Sequence, residues 1–199
     1  MAKPIIAIDI DDVLSAHVPD FIRYSNEHFG SELTVNDYDE DWYKLWGVDA
    51  AEGTLRNDAY HASDTIGKYR HDAESIAVLR HLKNRYDLVI VTSRRATIKQ
   101  ITQKWLDSHF SGMFEAIHFA GMWDTVTEHS RTATKAAMCA EIGADFLIDD
   151  QLKHVSAVAA AGMEAILFGD YSWNQSDELP KRVTRCANWT KVEEYFDAR

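Results

Sequence analysis

The strongest constraint on the fold is a set of five short apolar runs, three of which end in a polar cluster. Ile5–Ile8 leads into Asp9-Ile10-Asp11-Asp12. Leu88–Val91 leads into Thr92-Ser93-Arg94-Arg95, and Phe146–Ile148 into Asp149-Asp150. Ala116–Phe119 and Ala165–Phe168 complete the set. A strand with one wet face alternates apolar and polar residues, whereas unbroken runs of this length suit strands buried on both faces. Helical patterns fill most of the gaps. Ala73–Asn84 puts Ile76, Leu79 and Leu82 on one face, and Ala96–His109 does the same with Ile98, Ile101, Trp105 and Leu106. Thr132–Ile142 and Leu152–Ala161 stop at Gly143 and Gly162. Thr190-Lys191-Val192-Glu193 reads as a capping box opening a last helix. The order predicts an α/β fold with a doubly wound, parallel, five-stranded sheet.

Residues 15–72 break the rhythm. Val18–Phe29 reads as a helix stopped by Gly30, and Ala50–Ala62 as another. Between them lies an acidic, aromatic stretch from Asp37 to Trp46. A plain crossover needs far fewer residues. The expected organisation is a core domain of residues 1–14 and 73–199, with residues 15–72 as a small helical cap inserted after the first strand.

In a doubly wound sheet the carboxyl ends of the strands line the ligand crevice, so the three polar clusters converge there. Lys135, on the helix leading into the fourth strand, adds a positive charge. Carboxylates forced together repel, and a hard divalent cation removes that cost; Mg2+ prefers a few carboxylate oxygens plus phosphate. Thr92 and Ser93, opening a helix, offer hydroxyl donors to a phosphate beside backbone N–H groups. Carboxylates, a metal, hydroxyls and a lysine suit phosphoryl transfer through an aspartyl-phosphate. Each element alone is ordinary. An Asp pair or a Thr-Ser after a strand commonly caps a helix, and a lone lysine is commonly a solvated charge. The ordered set is what is specific.

That ordered set resembles the four motifs of the haloacid dehalogenase-like (HAD) superfamily, over residues 4 to about 195. Within it the chain is most similar to the 5′-nucleotidase and 5′(3′)-deoxyribonucleotidase-like branch. Tyr171-Ser172-Trp173-Asn174 and Arg185 to Trp189 look like that branch's tail, and the cap position agrees. The resemblance implies Asp9 as the nucleophile and Asp11 as the general acid/base. It implies phosphate binding by Thr92, with Ser93 beside it, and by Lys135. It implies Mg2+ on Asp9, the Asp11 carbonyl and the acidic pair, with Asp150 the direct ligand and Asp149 bridging through water or pairing with lysine. Asp11 favours phosphate-ester hydrolysis over dehalogenation. Two departures stand out: Asp12 where many relatives carry glycine, and Lys68–Asp72 in place of a Gly/Pro-rich lead-in. A response-regulator receiver would need an aspartate where Phe119-Ala120-Gly121 stands.

The implied activity is a Mg2+-dependent phosphatase acting on a small phosphomonoester, such as a nucleoside monophosphate. A non-catalytic phosphate-binding protein and a phosphotransferase using an acceptor other than water are the alternatives. Trp42, Trp46 and Tyr60, with Tyr43, are candidates to stack a planar leaving group, although a small cap also needs aromatics for its own core. Arg94 is a further pocket candidate; Arg95 and Arg131 lie near the motifs, where solvated charge is the usual role. The acidic run Asp37–Asp41 reads as solvated surface.

Other classes are disfavoured. With 21 basic and 32 acidic residues the formal charge is −11, which opposes a long nucleic acid or an anionic membrane as partner. The histidines lack zinc-site spacing, and no dinucleotide or P-loop fingerprint occurs. Cys139 and Cys186 have no metal or redox spacing and fit buried thiols in a reducing compartment. Met1-Ala2-Lys3-Pro4 carries no secretory pattern, and Val155–Gly169 is too short to span a bilayer. A soluble, cytoplasmic protein is expected.

Overall fold

The computed structural model describes residues 2–121 and 134–199. β1 (Ile5–Ile8) is followed by α1 (His17–Phe29), α2 (Trp42–Trp46), α3 (Ala50–Ala62) and α4 (Ala73–Leu82). Then come β2 (Asp87–Thr92), α5 (Lys99–His109), β3 (Ala116–Phe119), α6 (Lys135–Ile142), β4 (Phe146–Asp149) and α7 (Leu152–Ala160). β5 (Glu164–Phe168), β6 (Val183–Cys186) and α8 (Trp189–Asp197) close the chain. The described strands form one sheet in the order β3-β2-β1-β4-β5-β6, with every neighbouring pair parallel.

Both faces of the sheet are buried, which explains the unbroken apolar runs. Ile6, Ile8, Leu88, Ile90, Ile148 and Ile166 join one core cluster; Ala7, Val89, Val91, Leu147, Ala165 and Leu167 join the other. On the first face sit α4, α5 and α8, through residues such as Leu79, Trp105 and Phe196, together with Val18 and Phe21 of α1. On the second sit α6 and α7, through Cys139, Val155 and Val158.

The sheet has six described strands rather than the five expected. Among the described residues β6, Val-Thr-Arg-Cys, pairs on one side only, and it keeps Thr184 exposed. An edge strand needs no continuous apolar run, so its pattern is weak. The capping box expected at Thr190 is displaced: α8 begins at Trp189, and Asn188 is the cap, accepting from the Lys191 N–H at 3.0 Å. A 3₁₀ turn over Ala96–Ile98 precedes α5, so the helix expected from Ala96 starts three residues later. α6 starts at Lys135 behind a Thr134 cap; Thr132 and Ala133 lie outside the described residues. The insert is helical as read, and α3 spans Ala50–Ala62.

The strand order reverses at β1, which has β2 on one side and β4 on the other. Helices leave opposite faces there and a crevice opens at the carboxyl ends. Ile8 lies level with Ile90 and Ile148. Asp9 continues the ladder, its N–H donating to the Ile148 carbonyl at 3.0 Å. The register therefore brings Asp9, Asp149 and the Thr92 turn to one level.

Candidate active site

The floor of the crevice is an ionic cluster. Lys135, nearly inaccessible to solvent at the start of α6, lies 2.7 Å from Asp9 Oδ2 and 2.6 Å from Asp149 Oδ2. Asp149 is completed by the Gln151 N–H, which donates to Oδ1 at 2.9 Å. Asp150 Oδ2 accepts from Trp173 Nε1 at 2.7 Å and from Gln151 Nε2 at 3.0 Å. Asp9 Oδ1 is buried with no hydrogen-bond partner among the described residues. Leaving a carboxylate oxygen unsatisfied in the interior is costly, so this orphan on the cavity wall is a candidate ligand position.

Oxygen atoms of Asp9, Asp149 and Asp150 lie within 4.8 Å of one another. Asp149 already has Lys135 and a backbone donor, whereas Asp9 and Asp150 each retain an oxygen. An all-oxygen set with excess negative charge fits a hard divalent cation such as Mg2+. The charges show the same strain. Burial pushes the Asp9 carboxyl up to about 6 against the pull of Lys135, with Asp149 and Asp11 adding repulsion. Burial, with Asp149 beside it, pushes Asp150 well above the usual carboxylate range. Burial alone would lower the Lys135 ammonium, but Asp149 and Asp9 more than offset it and hold it charged.

Asp11 stands apart from this cluster. Its carboxylate is gripped by Arg94, with Nε 3.0 Å from Oδ2 and Nη2 2.6 Å from Oδ1. Burial would raise this carboxyl, but Arg94, then His17, hold it well below the ordinary range. Arg94 is itself buried, bonded to Thr102 Oγ1 at 3.2 Å and set over the Tyr69 ring at 5.4 Å. Asp12 has φ +55°, the left-handed region that favours glycine. Its carboxylate offsets the strain by accepting the Val18 N–H at 3.0 Å, in the first turn of α1.

Above this floor lies a cavity of about 630 Å³. Its roof comes from the insert: Tyr38, Trp42, Tyr43, Tyr60 and His61, with His17 and Tyr69 at the ends of the insert. His17 packs beside the stacked Phe21 and Trp42 rings, 5.8 and 6.2 Å from their centroids, and meets the Tyr69 hydroxyl through Nδ1 at 2.9 Å. Tyr69 in turn bonds the Tyr60 hydroxyl. Asp39, Glu40 and Asp41 rim the mouth, and Glu40 pairs with Lys153 of α7. This acidic run is solvated, as read, but it is also the cavity's edge.

A family model described as 5′ nucleotidase, deoxy (pyrimidine), cytosolic type C matches residues 3–199. The chain belongs to this family. It is a hydrolase of the HAD superfamily, near its nucleotidase branch. It is 28% identical over 194 residues to the protein named Putative nucleotidase BH1399 of Halalkalibacterium halodurans, covering 96% of this chain and 91% of that one. The haloacid dehalogenase-like hydrolase SP0104 from Streptococcus pneumoniae superposes with a TM-score of 0.71 at 13% identity, covering 98% of each chain. The HAD-hydrolase YfnB from Bacillus subtilis, solved bound to magnesium, gives 0.62 at 13% identity, covering 99% of this chain and all of that one. At these identities the two structures speak for the fold.

In this nucleotidase-family chain the fold gathers Asp9, Asp11, Ser93, Arg94, Lys135 and Asp150 on the cavity wall. Trp42 and Tyr60 are there too. Thr92 and Asp149 sit just behind it, fully buried. Thr92 Oγ1 accepts the Arg94 N–H at 3.2 Å, so of the two hydroxyl residues Ser93 is the one on the wall. Trp46, expected in the pocket, is not brought there. It packs in the insert's own core and donates Nε1 to Ser25 Oγ at 3.1 Å. Arg95 reaches the cavity, and Arg131 lies outside the described residues. His17, Tyr38, Tyr69, Gln151 and His154 also line it and were not anticipated. His17 comes five residues after Asp12, but a lone histidine carries no spacing signal. Among the described residues, no helix is long and apolar enough to cross a membrane.

Proposed function

We propose that this chain is a Mg2+-dependent phosphatase for small phosphomonoesters, nucleoside monophosphates being the favoured class, working through a phospho-aspartate on Asp9. The observation that carries the reading is Asp9 itself. It is a buried carboxylate with one oxygen tied to Lys135 and the other unsatisfied, at the strand-order reversal and on the cavity wall. Residues 1–14 and 73–199 are read as the catalytic core and residues 15–72 as its cap.

Asp9, Asp150 and the Asp11 backbone carbonyl would hold Mg2+, which when bound supplies positive charge to the site's carboxylates and to phosphoryl oxygens. Lys135 keeps Asp9 ionised as a nucleophile and adds a second positive charge, and Ser93 offers a hydroxyl. An Asp9 oxygen bonds to phosphorus as the ester P–O bond breaks, and Asp11 gives its proton to the leaving alkoxide. Water then attacks the phospho-aspartate, Asp11 takes its proton, and Asp9 leaves as the carboxylate. While Arg94 grips it, Asp11 stays ionised and has no proton to give. It becomes an acid only when the guanidinium turns to another anion, and the incoming phosphoryl group is that anion. The aromatic roof fits a planar leaving group, in keeping with the nucleotidase family.

Phosphate release from an aryl phosphate, followed by a panel of nucleoside monophosphates, tests the reading. Turnover should require Mg2+ and stop in EDTA. Full activity in EDTA overturns the metal's role, and no turnover on any phosphomonoester overturns the activity. Transfer to added alcohols in place of phosphate release would make the enzyme a phosphotransferase.

A further inference from the structure

Asp150 is held from a distant part of the chain. After β5 the backbone turns at Gly169, φ +82°, where a side chain would run into the Tyr171 ring. A single 3₁₀ turn over Ser172–Asn174 then folds back onto the fourth motif. Trp173 Nε1 donates to the Asp150 carboxylate at 2.7 Å. The fully buried Asn174 donates Nδ2 to the Asp150 carbonyl at 3.0 Å and to the Phe168 carbonyl at 2.9 Å. Two adjacent residues therefore grip both the side chain and the backbone of Asp150.

The grip has its own anchor. Arg185 of β6 donates Nη1 to Asn174 Oδ1 and to the Gly169 carbonyl, both at 2.9 Å, and Nη2 to the Asn174 carbonyl at 2.7 Å. Tyr171 stacks on Trp173 with centroids 4.5 Å apart and rings 6° from parallel, and its hydroxyl donates to the Asp12 carbonyl at 2.9 Å. Tyr38 of the insert meets the Trp173 ring edge-on at 5.1 Å.

We infer that Trp173 is a positioning residue for Mg2+, acting by fixing the Asp150 carboxylate, with Asn174 and Arg185 as its anchor. This rests on the proposal that Asp150 is a metal ligand. A carboxylate free to rotate must be ordered when it takes a cation; one pinned through Oδ2 presents its other oxygen already oriented. Outer partners of metal ligands commonly change metal affinity by about 10–100-fold. The edge strand β6 then has a purpose beyond closing the sheet: it delivers Arg185.

The test is calorimetric titration of the metal-free full chain with MgCl2, alongside melting curves and Mg2+ activation of aryl phosphate hydrolysis. Asp150→Asn should abolish binding; if it binds Mg2+ as the wild type does, the ligand reading beneath the inference fails. Trp173→Phe keeps an aromatic ring against Tyr171 and removes the N–H together with the five-membered part of the indole. It should weaken Mg2+ binding by about tenfold or more and raise the half-activating Mg2+ concentration to match. Its kcat at saturating Mg2+ should stay within about twofold, with melting little changed. Wild-type affinity in a folded Trp173→Phe, while Asp150→Asn has lost binding, overturns the inference. Should Trp173→Phe not fold, Arg185→Met carries the test: weaker Mg2+ binding by a folded Arg185→Met supports the anchor, and unchanged binding overturns it.

Discussion

The floor and the roof of the cavity are built by opposite means. The floor is charge on rigid strand ends: Asp9, Asp149 and Asp150 around Lys135, nearly all out of water. Its positions follow from backbone register, and its energy is a balance of burial against ion pairing. The roof is aromatic surface on short helices, with His17, Trp42 and Tyr60 in mutual ring contact. Its positions follow from side-chain packing, and it is held by burial with one hydroxyl relay. A substitution in the floor should therefore act on chemistry and on the pH dependence of stability, and one in the roof on substrate affinity.

The sharpest separation is at Asp9. Asp9→Asn should reduce aryl phosphate hydrolysis by at least about 10³-fold, because the nucleophile is gone. The same variant should melt above the wild type at pH 7–8 in metal-free buffer. Burial raises the native Asp9 carboxyl from 3.8 to about 6, so keeping it ionised costs stability above pH 6. That cost fades as pH falls from 6 towards 4, and the melting advantage of Asp9→Asn should fade over the same window. Equal melting at pH 8 would remove the strain ascribed to the floor.

Lys135→Ala tests the floor from the other side. It leaves Asp9 and Asp149 facing each other without their shared cation, and removing one partner from such buried pairs costs about 3–5 kcal/mol. Denaturant unfolding at pH 7.5 measures this, and a loss below about 1 kcal/mol would mean that water already reaches the cluster.

On the roof, Trp42→Ala should raise KM for a substrate with an aromatic leaving group by about tenfold, with kcat much less affected, as expected when stacking is lost equally in ground and transition states. A kcat loss with unchanged KM would move Trp42 from the roof's role to the floor's.

The smallest effect is expected at Trp46. Trp46→Phe removes the bond to Ser25 and part of a buried ring, and should cost about 1–2 kcal/mol of stability without moving KM. Trp42 and Trp46 are the two ends of α2, yet one faces the cavity and the other the insert's interior. A KM shift in Trp46→Phe would show that this division is not sharp.

That pair of tryptophans also marks where the sequence stops being informative. The two-faced burial of the sheet is written into Ile5–Ile8, Leu88–Val91 and Phe146–Ile148, and each run points at the cluster that follows it. That Asp9, Asp11 and Asp150 would meet at one cavity was legible because strand ends converge whatever the side chains around them, and Lys135 joins them from the start of α6. The sequence did not distinguish Trp42 from Trp46, because a short amphipathic helix shows which residues are apolar but not which neighbour covers them. It did not bring in His17 or Tyr69, whose meeting depends on how the two ends of the insert return to one place. It offered Thr92 and Ser93 together, and the turn placed one behind the wall and one on it. It did not reveal β6, because an edge strand need not be apolar on both faces. Sequence alone determined the doubly wound core and the order of its chemical groups, because local periodicity and strand direction decide these. Tertiary structure decided which side chains look into the cavity, which oxygens remain unpaired and what holds Asp150, because those depend on contacts between segments far apart in the chain.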